Sequence, residues 1–89
     1  LFETDPSGAL VAYKATCIGS GRPLVMDVLE KEYKDKMSLE AAVKLGLKAL
    51  VAATEDTPSA ESVEIGVIEN GKKFRRLTKT EISKIVAKL

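Results

Sequence analysis

The sequence predicts an α+β protein with antiparallel strands, in the order hairpin, helix, helix, hairpin, helix. Two observations come from turns: Asp5-Pro6-Ser7-Gly8 and Asn70-Gly71 each sit between strand-like segments. The third is the periodicity of the remaining stretches, whose apolar residues recur at helical spacing. No internal repeat and no low-complexity segment interrupts this order.

Residues 1–4 are a short extended piece that ends at the Asp5-Pro6-Ser7-Gly8 turn, where Pro6 presets φ and Gly8 accepts a positive one. Residues 9–18 have β character. Val11, Tyr13, Ala15 and Cys17 fall on one face, and Leu10, Ala12, Lys14, Thr16 and Ile18 on the other. Both faces are largely apolar, so this strand is expected to be buried on both sides. Together, residues 1–18 read as a β-hairpin.

Gly19-Ser20-Gly21 breaks the strand. Ser20 or Gly21 is the expected cap of the next helix, with Pro23 in its first turn, where a missing N–H costs nothing. Leu24, Val25, Val28, Leu29 and Tyr33 then mark an amphipathic helix that ends near Tyr33. Ser38 is the expected N-cap of a second helix over residues 39–53, with Glu40 in its first turn. Its predicted stripe is Ala42, Val43, Gly46, Leu47, Leu50 and Val51, with Ala42 and Gly46 small enough to let another element approach closely. Gly46 costs up to about 1 kcal/mol of helix propensity, so a packing reason is expected there.

Residues 54–62, with Pro58 among them, read as a polar loop. Residues 62–68 alternate, and Asn70-Gly71 predicts a type I′ turn with both residues at positive φ. Residues 72–77 return as a more polar strand anchored by Phe74. Thr78-Lys79-Thr80-Glu81 is a capping box, and Ile82, Ile85, Val86 and Leu89 form the apolar stripe of the last helix.

Composition excludes much. An 89-residue chain suits one domain, residues 1–89, and buries only about 60–65% of its unfolded surface. A net charge of +1, with lysines interleaved among glutamates and 4% aromatics, offers no nucleic-acid surface. No apolar run reaches the roughly 20 residues of a membrane span. Cys17 is the sole cysteine and histidine is absent, which excludes an internal disulfide, a histidine-bearing zinc site, a Ser-His-Asp triad and a Cys-His pair. A lone thiol fits a reducing compartment, hence a cytoplasmic protein. Opening on Leu1 rather than Met is expected of a fragment or a processed product.

The candidate chemistry sits around the glycine joint. Gly19-Ser20-Gly21 at a helix start could cradle a phosphate, but it lacks the P-loop lysine and the third glycine of a dinucleotide fingerprint. A structural joint is the stronger reading. Arg22 is read as a solvated charge, with an ion pair at a subunit contact as the alternative. Cys17 has no histidine to activate it and reads as a small buried hydrophobe. Ser20 has no identifiable general base, Lys14 is too remote in sequence to be assigned to it, and Asp5 is turn chemistry. The expectation is therefore no catalytic, cofactor-binding or metal-binding residue and no cofactor.

The segment LFETDPSGALVAYKATCIGSGRPLVMDVLEKEY resembles the second half of a proteasome α subunit of the archaeal 20S type. The helix MSLEAAVKLGLKAL and the strand SVEIGVI are similar to that family in order and length. The resemblance implies the C-terminal half of an Ntn-hydrolase-type four-layer αββα sandwich, with two antiparallel sheets face to face and helices outside. It places the family's gating tail, first helices and regulator-docking pocket upstream of these residues. Catalytic β subunits resemble one another in Ala-Thr-Gly-Ser-Gly-Ser at the joint, where this chain has Ala15-Thr16-Cys17-Ile18-Gly19-Ser20-Gly21-Arg22, the α-type pattern. Cys17 stands where the family usually has a small residue.

The function so implied is a non-catalytic subunit of the 20S core. It would form the outer heptameric ring that gates substrate entry for ATP-dependent intracellular protein degradation. Its partners would be other α subunits, β subunits, an ATPase regulator and unfolded protein substrates, with neither nucleic acid nor membrane. The alternatives are a fragment of a catalytic β-type threonine protease and a stand-alone binding module. The 89-residue chain by itself is expected to behave poorly in solution.

Overall fold

The computed structural model describes residues 1–54 and 58–89. Strands β1 (Phe2–Thr4) and β2 (Leu10–Ala12) are followed by helices α1 (Arg22–Glu32) and α2 (Leu39–Thr54), strands β3 (Gly66–Val67) and β4 (Arg75–Arg76), and helix α3 (Lys79–Val86). The strands form two separate antiparallel pairs, β1 with β2 and β3 with β4. The loop expected over residues 54–62 includes positions 55–57, outside the described residues; Pro58 just after them is buried.

The first hairpin reverses at Asp5, whose carbonyl accepts from the Gly8 N–H at 3.0 Å while its carboxylate accepts from the Ser7 N–H at 2.8 Å. Register pairs Phe2 with Ala12, Glu3 with Val11 and Thr4 with Leu10. The strand expected over residues 9–18 is shorter: residues 10–12 are paired, the Tyr13 N–H adds one bond to the Leu1 carbonyl at 2.7 Å, and the chain bends at residues 14–15. It is not buried on both sides either. Leu10 and Val11 are 63% and 48% exposed, since no second layer among the described residues covers them.

The core lies between α1 and α2, where Val25, Leu29, Leu45 and Ala49 are buried, with Ala15, Cys17, Met26, Tyr33, Met37 and Ala53 packed around them. Ser38 caps α2 as expected, its hydroxyl accepting from the Ala41 N–H at 3.1 Å. The α2 stripe differs from the predicted one: Leu45 and Ala49, one turn apart, supply the face toward α1. Leu47 is buried too, outside that cluster, and lines a groove with Ile65, Val67 and Ile68. The helix is apolar on more than one face, so periodicity alone did not fix which face is inward. Gly46 is exposed, and a β-carbon there would meet nothing. The close approach expected at Ala42 and Gly46 is absent; they line an open apolar groove of about 350 Å³ with Leu39, Val43, Ile65 and Ile68.

The second hairpin also departs from expectation. Only Gly66 with Arg76 and Val67 with Arg75 pair, and the connection is longer than a two-residue turn. Asn70 does not adopt positive φ; Gly71 does, at 77°, and the Lys72 N–H closes the turn on the Glu69 carbonyl at 2.9 Å. Positive φ at the third residue alone is the requirement of a type II turn, not type I′. Phe74 is 60% exposed rather than an anchor, its ring lying over Gly66 so that a β-carbon there would run into it. Helix α3 opens on the predicted capping box: the Glu81 N–H donates to the Thr78 hydroxyl at 3.1 Å and the Thr78 N–H donates to the Glu81 carboxylate at 3.0 Å. Ile82 is its buried residue.

Taken whole, the chain leaves more surface open than its mass warrants. It exposes 6747 Å², against about 5,100 Å² for a folded monomer of 9.6 kDa. Its radius of gyration is 13.7 Å, against about 12 Å for a compact domain of this length.

Candidate functional site

The joint between β2 and α1 gathers the densest polar network in the described residues, and its centre is Arg22. This residue opens α1, so its side chain reaches back over the segment that precedes the helix. Its Nη1 donates to the Glu3 Oε2 at 3.0 Å, to the Thr16 Oγ1 at 3.3 Å and to the Cys17 carbonyl. Its Nη2 donates to the Tyr13 hydroxyl at 3.3 Å, and the guanidinium lies 5.7 Å from the centre of the Tyr13 ring. The Thr16 hydroxyl donates to the same Glu3 oxygen at 3.0 Å. One planar fork thus ties hairpin, bend and helix together.

Shelter distinguishes this ion pair. The side chains of Arg22 and Glu3 are each 32% exposed, less than either partner in any other ion pair among the described residues. Partial burial works to lower the Arg22 pKa, but the hydrogen bond and charge of Glu3 outweigh it and the net shift is upward. Arg22 is therefore not the freely solvated charge expected. Its partner is internal.

The glycines are built into the same joint. Gly19 has φ 120°, a conformation closed to other residues at reasonable cost. Of the two expected caps, Ser20 or Gly21, Gly21 is the N-cap of α1, and the helix receives no hydrogen bond from a capping side chain. A β-carbon at Gly21 would lie 2.7 Å from the Ala53 β-carbon, so glycine here is what lets α2 approach the start of α1. The Leu24 and Val25 N–H groups are taken by the Gly21 carbonyl at 3.1 and 3.2 Å, in the ordinary helical way.

The remaining candidates separate. Cys17 is half-buried against the α1–α2 core, its thiol donating to the Arg22 carbonyl at 3.7 Å. Ser20 is exposed, and no described side chain hydrogen-bonds to it. Lys14 points away and pairs with Asp35 at 3.1 Å. Asp5 is confined to its turn, where the Ser7 hydroxyl and N–H hold its carboxyl below its ordinary value. Among the described residues, no cluster of three or more metal-ligating side chains forms, and no helix is long and apolar enough to cross a membrane. Sequence reasoning missed Glu3, Tyr13 and Thr16 as partners of Arg22. The hairpin register brings Glu3 beside Val11, near the bend, which sequence spacing does not reveal.

This arrangement orients a bend in the backbone and leaves no nucleophile beside a base. The family model described as "Proteasome subunit" matches residues 1–68. The chain is 56% identical to "Proteasome subunit alpha" of Methanothermobacter thermautotrophicus, with all of this chain and 36% of the relative covered. It is 54% identical to the protein of the same name from Pyrococcus horikoshii, covering 94% of this chain and 32% of the relative. The corresponding protein of Methanosarcina thermophila is 49% identical over 100% of this chain and 36% of its own length. The chain therefore spans about a third of the length of these curated relatives.

Proposed function

The chain belongs to the proteasome subunit family, on its archaeal α side, and from that membership we propose that it serves as part of a non-catalytic α subunit of the 20S core. The observation that carries this reading is the joint itself. Arg22, whose place in the α-type pattern distinguishes it from the β-type serine, is committed to Glu3, Thr16, Tyr13 and the Cys17 carbonyl. Ser20 is left on the surface without a base. In this reading the joint is a structural elbow, and its described residues place no base beside Ser20.

The open surface supports the wider assembly. Leu1, Phe2, Leu10 and Ile68 are each more than 60% exposed, and the β1–β2 pair has no covering layer. Apolar area of that extent costs about 25 cal/mol per Å² while it faces water. In the proposed arrangement, residues 1–89 are a single partial domain, the C-terminal part of an α-type subunit with an Ntn-hydrolase-type sandwich, and a facing sheet covers the hairpins. The complete subunit joins other α subunits in a heptameric ring stacked on β subunits. That ring gates entry of unfolded protein delivered by an ATPase regulator in the cytoplasm.

Electron microscopy of the complete protein should show heptameric rings, and β subunits added to them should give closed particles with peptidase activity. A protein that stays monomeric at micromolar concentration overturns the ring. Peptidase activity from the isolated protein, with an N-terminal threonine exposed by processing, would replace this reading by the catalytic one. A monomeric, cooperatively folded 89-residue chain would favour the stand-alone module.

A further inference from the structure

We propose that Asn70-Gly71 is a site of spontaneous covalent modification, at which the backbone nitrogen of Gly71 attacks the side-chain amide of Asn70 and converts it to aspartate and isoaspartate. Asn70 is the only asparagine in the chain, and glutamine is absent, so this is the one side-chain amide available. Both residues are exposed. Neither the Asn70 amide nor the Gly71 N–H has a hydrogen-bond partner among the described residues, because the turn is closed by Lys72 and Glu69 instead.

Sterics point the same way. A β-carbon at Gly71 would meet nothing within 4 Å beyond its chain neighbours, so the space beside this residue is open. The restraint on the backbone is slight: one turn hydrogen bond of 2.9 Å, at the tip of strands two residues long. Local opening of such a tip is cheap, which lets the Asn70 backbone rotate toward the reactive geometry. Lys72, Lys73, Arg75 and Arg76 follow directly. Their positive charge favours the deprotonated amide nitrogen that must form, offset in part by Glu69 beside Lys72, Glu81 beside Arg75 and Glu64 beside Arg76.

The reaction balances without any redox partner. The Gly71 N–H gives its proton to solvent base and its nitrogen bonds to the Asn70 Cγ. The bond from that Cγ to the amide nitrogen of Asn70 breaks and releases ammonia. Water then opens the cyclic imide. Cleavage of the new bond leaves aspartate in the ordinary backbone; cleavage of the original peptide bond leaves isoaspartate, with one extra backbone carbon. The net change is water consumed and ammonia released. Each product adds a negative charge beside Glu69, and isoaspartate also lengthens the turn between β3 and β4.

The test ages the complete protein at mildly alkaline and mildly acidic pH, beside an unfolded synthetic peptide spanning residues 66–76. Peptide mapping should find the amide-to-acid mass gain at residue 70 in both, faster at the higher pH. An isoaspartate-specific carboxyl methyltransferase with a labelled methyl donor should label the aged protein and not the fresh one. Gly71→Ala should slow conversion several-fold in protein and in peptide, the peptide excluding an effect of misfolding. An intact Asn70 in the protein after the peptide has largely converted overturns the proposal, as does a Gly71→Ala peptide that converts as fast as the parent.

Discussion

Two glycine-bearing bends of this protein, at residues 19–21 and at residues 70–71, reverse the expectation that local sequence sets for them. Asn70-Gly71 is the stronger turn signal, yet its hairpin has only two paired residues per strand, a backbone bond from Leu77 to Ile65 at its base and one turn hydrogen bond at its tip. Gly19-Ser20-Gly21 is the more ambiguous signal, yet it is fixed by the Arg22 fork, by a positive φ at Gly19 and by contact of Gly21 with Ala53. The difference teaches that turn chemistry specifies where a backbone reverses, while the neighbours it meets decide how firmly. A bend set against the α1–α2 core is constrained from several sides. A bend at the tip of an exposed ribbon is not.

The largest expected effect comes from the core under the elbow. Leu45→Ala removes a side chain that is 7% exposed between α1 and α2 and should destabilise the complete protein by about 2–5 kcal/mol. Denaturant unfolding measures this; a loss as small as that of an exposed residue would mean that the helices do not share a core. Next is Gly21→Ala, whose new methyl would lie 2.7 Å from the Ala53 β-carbon and should cost about 1–3 kcal/mol as overpacking. Adding Ala53→Gly should restore most of that loss, a coupling that a double-mutant cycle reads directly.

A matched pair of arginine variants sharpens the contrast between the regions. Arg22→Gln should lower the melting temperature clearly, because Glu3 and Tyr13 lose their sheltered partner. Arg75→Gln breaks a more exposed pair with Glu81, 3.1 Å apart, and should change it little. Equal effects would erase the distinction drawn between elbow and ribbon. Thr78→Ala removes the cap of α3 and should cost about 1 kcal/mol, visible as faster amide exchange in that helix.

The smallest effect is in acid. Glu81 is held below its ordinary 4.5, first by the Thr78 N–H and then by Arg75. Its carboxylate is therefore favoured in the folded state, and the unfolded protein binds more protons in that window. Its contribution is present above pH 4.5 and is lost as pH falls through the lowered folded value. Glu81→Gln should accordingly flatten the acid limb of the stability curve. An unchanged limb would show that Glu81 is no better solvated by its partners than by water.

The helices were legible because their signals are local. Val25 and Leu29 on α1, Ser38 before α2 and the Thr78–Glu81 box before α3 each act within a turn or two of the backbone. The extent of the strands was not legible. Residues 14–18 carry strand-like composition but lie outside the hairpin's backbone bonds, since a strand exists only where another strand faces it. Phe74 likewise reads as an anchor by type and lies exposed across Gly66 by position. At the site, Gly19, Gly21 and Arg22 stood out in the sequence, whereas Glu3, Tyr13 and Thr16 did not. Their roles come from a hairpin register that carries residue 3 to the start of α1.

What the sequence determined by itself is the alternation of turns and amphipathic helices, the absence of histidine and disulfide chemistry, and the α-type joint that marks the family. These depend on residue identity and short spacing, where the physics acts over a few bonds. What only the tertiary structure decided is that Arg22 turns inward to Glu3, that Leu45 and Ala49 face α1, and that the Asn70-Gly71 turn stands open. Each depends on which distant surface arrives beside a residue, and burial and ion pairing act through space rather than along the backbone.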